Sequence, residues 1–206
     1  MDDFVRELDE IESVFTNHKG ARTVVGFQFA YTPAEDGCLI SLWDSWTRFV
    51  RSIVIYSASR PVTGLSGNTY VPTNNRNESQ VLADLIANRS GNNFRINNGE
   101  PAWADPNCLA DIVNFLGLQN GYIIVNAVGA STVHLGPIAV ANPLKEIRLC
   151  RNFVAHKSQP TLNDVLAFAR SPFVDLSTHL RERRSGIEAF SEWKDCLAAL
   201  ASSAAF

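Results

Sequence analysis

From Leu39 to Val54 the apolar residues Leu39, Leu42, Trp43, Trp46, Phe49, Val50, Ile53 and Val54 recur every three or four positions. That period fits one wide face of an α-helix and no strand, so it predicts a central helix from near Pro33 to about Ser59. The rest of the fold must pack around it. The same region is the most apolar in the chain, yet Asp44, Arg48 and Arg51 fall between Cys38 and Tyr56. Three charges make it a poor membrane span and a good core helix, and no membrane partner is expected.

Helical signals continue on both sides. Phe4, Leu8, Ile11 and Phe15 form one stripe behind Asp2 and Asp3, which favours a first helix. A less regular stretch holds Val24, Val25, Phe27 and Phe29. Residues 60–75 carry Pro, Gly and Asn at turn spacing and read as an extended loop, followed by a short helix from about Glu78 to Ala87. A second loop, dense in Asn and Gly, ends where Asp105 and Pro106 supply an N-cap and a first helical position. Leu109, Ile112, Val113 and Leu116 then share a face, and Gly117 sits at the C-terminal cap. Residues 119–141 are ambiguous. Asn142 and Pro143 repeat the cap-then-proline signal and open a helix to about Lys157, closed by Pro160. Thr161 opens a short helix through Arg170, and Pro172 breaks it. A last helix, from about Leu176 or Ser185 to Ala201, aligns Ile187, Phe190, Trp193, Leu197 and Leu200. No repeats or linkers occur, so the expectation is one all-α bundle with long ordered loops, a single domain over residues 1–206.

Composition narrows the function. The chain has 206 residues, 46% hydrophobic and 19% charged, enough for one substantial core. Its net charge of −3 argues against a protein that coats nucleic acid non-specifically, though not against a local basic site. The acidic, amphipathic N-terminus is unlike an export signal, and Cys38, Cys108, Cys150 and Cys196 are too widely spaced for a zinc site. Buried thiols in a reducing, cytoplasmic setting follow as the expectation. Neither a metal nor a cofactor is expected: His18, His134 and His179 have no ligand-like spacing, and no glycine-rich phosphate loop occurs.

One segment concentrates chemistry. In "EIRLCRNFVAHKSQP", residues 146–160, Arg151, Asn152 and His156 lie within six residues of a helix that otherwise looks buried. At about 100° per residue, Ile147, Cys150 and Val154 fall on one side and Leu149 and Phe153 nearly opposite. Between them runs a polar lane of Arg148, Arg151, Asn152 and His156. Two apolar flanks call for two packing surfaces, the second being another helix of the bundle or another subunit. Asn152 and His156 are neighbours at four residues, so the amide can orient the ring. Arg151 lies about 140° round from His156 and pairs with it poorly on one helix, whereas two copies related by a two-fold axis would gather two of each around one cleft.

Arg151, Asn152, three further residues and His156 resemble the R-N-x-x-x-H signature of the HEPN superfamily of α-helical ribonucleases. "LKEIRLCRNFVAHKS" is similar to that family's motif helix and "LWDSWTRFVRSI" to its early core helix. "EPAWADPNCLADIVNFLGLQN" resembles the connecting region of the RiboL-PSP type branch, so the likeness spans roughly residues 35–160. It implies a HEPN-like helical bundle, a homodimer, that cuts RNA without a metal to leave a 2′,3′-cyclic phosphate, as a toxin or defence effector held by an antitoxin or other regulatory partner. His156 would be the general acid or base, Arg151 would hold the phosphate and its developing charge, and Asn152 would orient both. Arg148 and Lys157 would bind substrate phosphates. Members modified by a nucleotidyltransferase partner carry tyrosine two residues after the histidine, and this chain has Ser158.

Plainer readings stand beside these. Arg151 would be a buried arginine paired with an acid such as Glu146, and His156 a histidine at a helix C-terminus. Arg181, Arg183 and Arg184 would be a solvated connection, and Trp43 with Trp46 would be core. The alternative function is a catalytically silent module binding a nucleotide or protein partner through the same surface.

Overall fold

The computed structural model describes residues 1–19, 24–26, 29–64, 66–90, 92, 94–96, 99–170 and 172–205. It is mostly helical. In chain order the elements are α1 (Asp2–His18), β1 (Val24–Gly26), β2 (Phe29–Tyr31), α2 (Pro33–Ser59), β3 (Val62–Thr63), β4 (Thr69–Tyr70), α3 (Glu78–Ala87), α4 (Pro106–Leu116) and α5 (Gly121–Val128). There follow β5 (Thr132–Leu135), β6 (Ile138–Ala141), α6 (Pro143–His156), α7 (Gln159–Phe168), α8 (Leu176–Arg181), β7 (Arg183–Arg184), β8 (Ile187–Glu188) and α9 (Ala189–Ala204). Among the described residues each strand pairs with its sequence neighbour as a two-stranded antiparallel ribbon. Phe27, part of the less regular stretch, lies outside the described residues.

The chain gathers into two compact units; it passes from one to the other inside α2, between Ser45 and Trp46, in the connection between α5 and β5, between Ala130 and Ser131, and inside α9, between Ala199 and Leu200. One unit comprises Met1, residues 46–130 and 200–206. Its core holds Trp46, Val50, Val54, Val81, Leu85, Trp103, Leu109, Ile112 and Leu116, all buried. Local chemistry starts and stops its helices. Asn77 and Gln80 form a reciprocal capping box ahead of α3, and Asp105 accepts from the amides of Asn107 and Cys108 ahead of α4. Gly117 closes α4 with φ +66°, a left-handed conformation that suits glycine, and its carbonyl accepts from Thr73 Oγ1.

The other unit comprises residues 2–45 and 131–199. Leu8, Phe15, Leu39, Leu42, Ile147, Cys150, Phe153, Val154, Leu180, Phe190, Trp193 and Leu197 are buried in it, and Phe15 stacks on Phe190 at 4.1 Å. The ambiguous residues 119–141 resolve into α5 in the first unit and the β5–β6 ribbon in the second. The last helix is interrupted: α8 ends at Arg181, and the β7–β8 ribbon, turning at Gly186 with φ +88°, separates it from α9. All four cysteines are buried and free.

A buried ionic cluster fixes how α6 sits. Glu146, 1% exposed, accepts from Arg170 Nε at 2.9 Å, Arg184 Nη1 at 3.1 Å and Trp193 Nε1 at 3.1 Å, and His179 Nε2 lies 3.2 Å from its other oxygen. Glu192, also buried, pairs with Arg170. Two carboxylates therefore face two guanidiniums, which is what lets these charges leave water. Burial alone would raise the Glu146 pKa; the His179 hydrogen bond and the charges and hydrogen bonds of Arg184 and Arg170 outweigh it and bring it down to about 2. Arg184 and His179 thus belong to this cluster, which corrects the reading of Arg184 as part of a solvated connection; Arg181 and Arg183 are exposed, as that reading has them. Arg184 has only 11% of its side chain exposed, and Arg181 bonds Ser177 and pairs with the buried Glu35.

Because Glu146 titrates lower in the folded chain than its ordinary 4.5, its stabilisation is fully present above that pH and is lost as pH falls toward about 2. Urea unfolding across this range should show a loss of roughly 3 kcal/mol from this group. Glu146→Gln should flatten that acid limb and, by leaving two arginines short of a partner, lower neutral-pH stability by about 3–5 kcal/mol.

Candidate functional site

The helix carrying Arg151 begins one residue after the predicted cap, but its start is built differently. Asn142 adopts φ +48° and makes no side-chain cap bond; its amide instead donates to Ser131 O at 2.6 Å, fastening the helix to the start of the β5–β6 ribbon. Pro143 takes the first helical position, where its missing N–H costs nothing. At the other end Lys157 turns left-handed at φ +43°, and its amide donates to Phe153 O at 2.7 Å. Ser158 and Thr161 then form a capping box that opens α7, so Pro160 sits inside the first turn of α7 and does not follow a longer α6.

The inward side of α6 consists of Pro143, Leu144, Glu146, Ile147, Cys150, Phe153 and Val154, all buried. Phe153 meets Phe173 edge-on at 6.1 Å, so the second apolar flank predicted for this helix is covered by the chain's own loop between α7 and α8. The outward side carries Lys145 and His156, exposed, and Arg148, Arg151 and Asn152, half-buried.

The plain alternative for Arg151 fails on the identity of its partner. Glu146 is occupied by Arg170, Arg184, His179 and Trp193, and Arg151 pairs with no carboxylate among the described residues. Its one contact there is a long one, Nη1 to Asn152 Oδ1 at 3.5 Å, while its Nε–H is buried without a hydrogen-bond partner. A guanidinium in that state keeps donors for an incoming oxyanion, and its planar fork matches a phosphate. Asn152 therefore orients Arg151 and makes no hydrogen bond to His156 among the described residues. His156 stands in solvent on the last helical residue, likewise without a hydrogen bond there. Helical geometry separates it from Arg151 by five residues, about 7.5 Å along the axis and about 140° around it.

Of the two residues expected to bind substrate, Arg148 lies on the outward face beside Arg151, whereas Lys157 is committed elsewhere. Lys157 Nζ donates to Asp36 Oδ2 at 2.7 Å, with 11% of the Asp36 side chain exposed. Asp36 belongs to the first turn of α2, so this pair ties the end of α6 to α2 immediately beyond His156. Sequence spacing gave no sign of it, since the partners are 121 residues apart.

Among the described residues no three His, Cys, Asp or Glu side chains gather as a metal-ligand set, and no helix is long and apolar enough to cross a membrane. No protein-family profile matches the chain, and neither a characterised protein nor a solved structure was found to be similar to it.

Removing the Asp36 tie should loosen the last turn of α6 without unfolding the chain. For Asp36→Asn, hydrogen exchange at the amides of residues 154–157 should quicken about fivefold, the effect of losing roughly 1 kcal/mol from a partly buried ion pair. Amides early in α6 should exchange at the parental rate.

Proposed function

We propose that the chain is a metal-independent endoribonuclease of the HEPN kind, acting as a homodimer, with a toxin or defence role in which a regulatory partner restrains it. The observation that carries this reading is Arg151. It is a half-buried arginine with no carboxylate partner among the described residues, held by Asn152 on a helix that ends in an exposed histidine. A structural arginine would be neutralised; this one is kept available for an anion.

In the proposed reaction the ribose 2′-oxygen attacks the adjacent phosphorus as a base removes its proton. The P–O5′ bond breaks, and the leaving 5′-oxygen takes up a proton. His156 serves as the base or as the acid. The products are a 2′,3′-cyclic phosphate and a 5′-hydroxyl. Arg151 binds the non-bridging oxygens and stabilises the charge that grows on them, and Asn152 keeps the guanidinium in position. Because Arg151 and His156 face different sides of α6, the pair that acts on one phosphate comes from two copies, the arginine of one and the histidine of the other.

Pure protein incubated with mixed RNA in excess chelator should produce fragments with cyclic phosphate ends. His156→Ala should abolish cleavage while thermal unfolding stays near the parental value, because an exposed side chain contributes little packing. Arg151→Lys should lose activity by about two orders of magnitude or more, since a point charge cannot replace a bidentate fork at a developing oxyanion. A parental rate in His156→Ala would remove that residue from the reaction. Absence of cleavage by well-folded dimer, together with tight binding of a nucleotide or protein, would favour a silent binding module.

A further inference from the structure

Inside the unit of residues 46–130, α4 and α5 pack as an antiparallel pair. Two glycines mark how close they come. A methyl group on Gly121 would approach Val113 Cβ to 3.0 Å, and one on Gly129 would stand 3.9 Å from Pro106 Cβ, so the start of each helix lies beside the end of the other. Along this seam runs an open groove of about 360 Å³. Val113, Leu118 and Val125 give it aliphatic surface, and Asn114 of α4 and Asn126 of α5, both exposed, line it as well. None of the described side chains that line it is charged.

The two asparagines do little for the helices that carry them. Asparagine propagates a helix less well than alanine, and neither side chain recovers that cost through a hydrogen bond among the described residues. Each carboxamide therefore keeps a donor and an acceptor, the pair that matches the C=O and N–H of a peptide unit. The register of the helices sets their spacing. Asn114 stands level with the first residue of α5, so Asn126 lies five residues, about 7.5 Å, further along the groove. An extended chain repeats every two residues, about 7 Å, and turns alternate side chains to one side. Two carboxamides at this spacing can meet two peptide units of one strand while its alternate side chains enter the groove. Tyr122, 65% exposed, adds a ring that such a strand would cover.

We infer that the α4–α5 groove binds an extended, uncharged peptide segment of a partner protein, its backbone held by Asn114 and Asn126 and its aliphatic side chains resting on Val113, Leu118 and Val125. Other occupants fit less well. A docked helix spends its backbone N–H and C=O groups internally and offers the carboxamides nothing, whereas an extended segment offers both. A nucleic acid would call for cations, and none of the described side chains lining the groove is one. This site is independent of the ribonuclease reading, because Arg151 and His156 belong to the other unit.

The test is a nuclear magnetic resonance titration of the full ¹⁵N-labelled chain with a capped peptide, acetyl-Ser-Leu-Ser-Leu-Ser-amide, whose leucines alternate with serines. Saturating shifts should appear at the amides of residues 110–126. Asn114→Ala and Asn126→Ala should each weaken binding about fivefold, the effect of one hydrogen bond, while unfolding at or above the parental temperature because alanine is the better helix former. The same peptide N-methylated at both leucines should give no saturating shifts, since its backbone donors are gone. Lack of saturating shifts with the unmethylated peptide, equal shifts with the methylated one, or parental affinity in both variants would overturn the peptide site. Shifts at these amides with oligouridylate and none with the peptide would overturn it in favour of a nucleic acid.

Discussion

The carboxylate of Glu146 is the constraint from which the geometry of this unit follows. An ionised group almost wholly removed from water is tolerable only when its lone pairs are met by matched donors, and Arg170 after α7, His179 of α8, Arg184 of β7 and Trp193 of α9 converge on it. A helix with such an anchor cannot rotate about its own axis. Once Glu146 points inward, Ile147, Cys150, Phe153 and Val154 go in with it, and Lys145, Arg148, Arg151 and His156 are turned to solvent. The same interaction that stabilises the unit thus decides which side chains are available for chemistry.

The ends of α6 are secured separately. The Asn142 amide bonds Ser131 at its start, and the left-handed Lys157 with its Asp36 partner holds its finish. Arg151 lies between these fixed points with an unpartnered buried Nε, so the polar cost of the segment is concentrated at one guanidinium. Buried donors are nearly always satisfied in folded chains, and among the described residues the Arg151 Nε shares its lack of a partner with Ser45 Oγ.

Much of this was legible from local pattern. The bounds of α2 and α3 follow from apolar period and flanking signals, and α4 from Asp105, Pro106 and Gly117 at its two ends. Less was legible where signals coincide with alternatives. Residues 119–141 hold apolar residues with neither period sustained, and the chain divides them between a short helix and a ribbon. Asn142 carried the composition of a cap and took a left-handed turn instead, because its amide had a partner in Ser131. The division into two units left little mark on composition, since two of its boundaries run through the middle of α2 and near the end of α9 and a third falls in the short connection between α5 and β5.

For the candidate site, the sequence by itself determined that Arg151, Asn152 and His156 share a helix, at what angles they stand, and that Glu146 belongs to the same element. Those statements need only the helical period, a local property of the backbone. Which arginine is neutralised, and by which acid, was decided by tertiary structure alone. Arg151 is five residues from Glu146 and about 140° round the helix, whereas Arg170 and Arg184, which reach the carboxylate, come from 24 and 38 residues further along. The choice turned on which side of α6 the apolar residues pull into the core. Burial energy summed over that whole face outweighs any single ion pair, so the carboxylate followed the core and Arg151 was left without a carboxylate among the described residues.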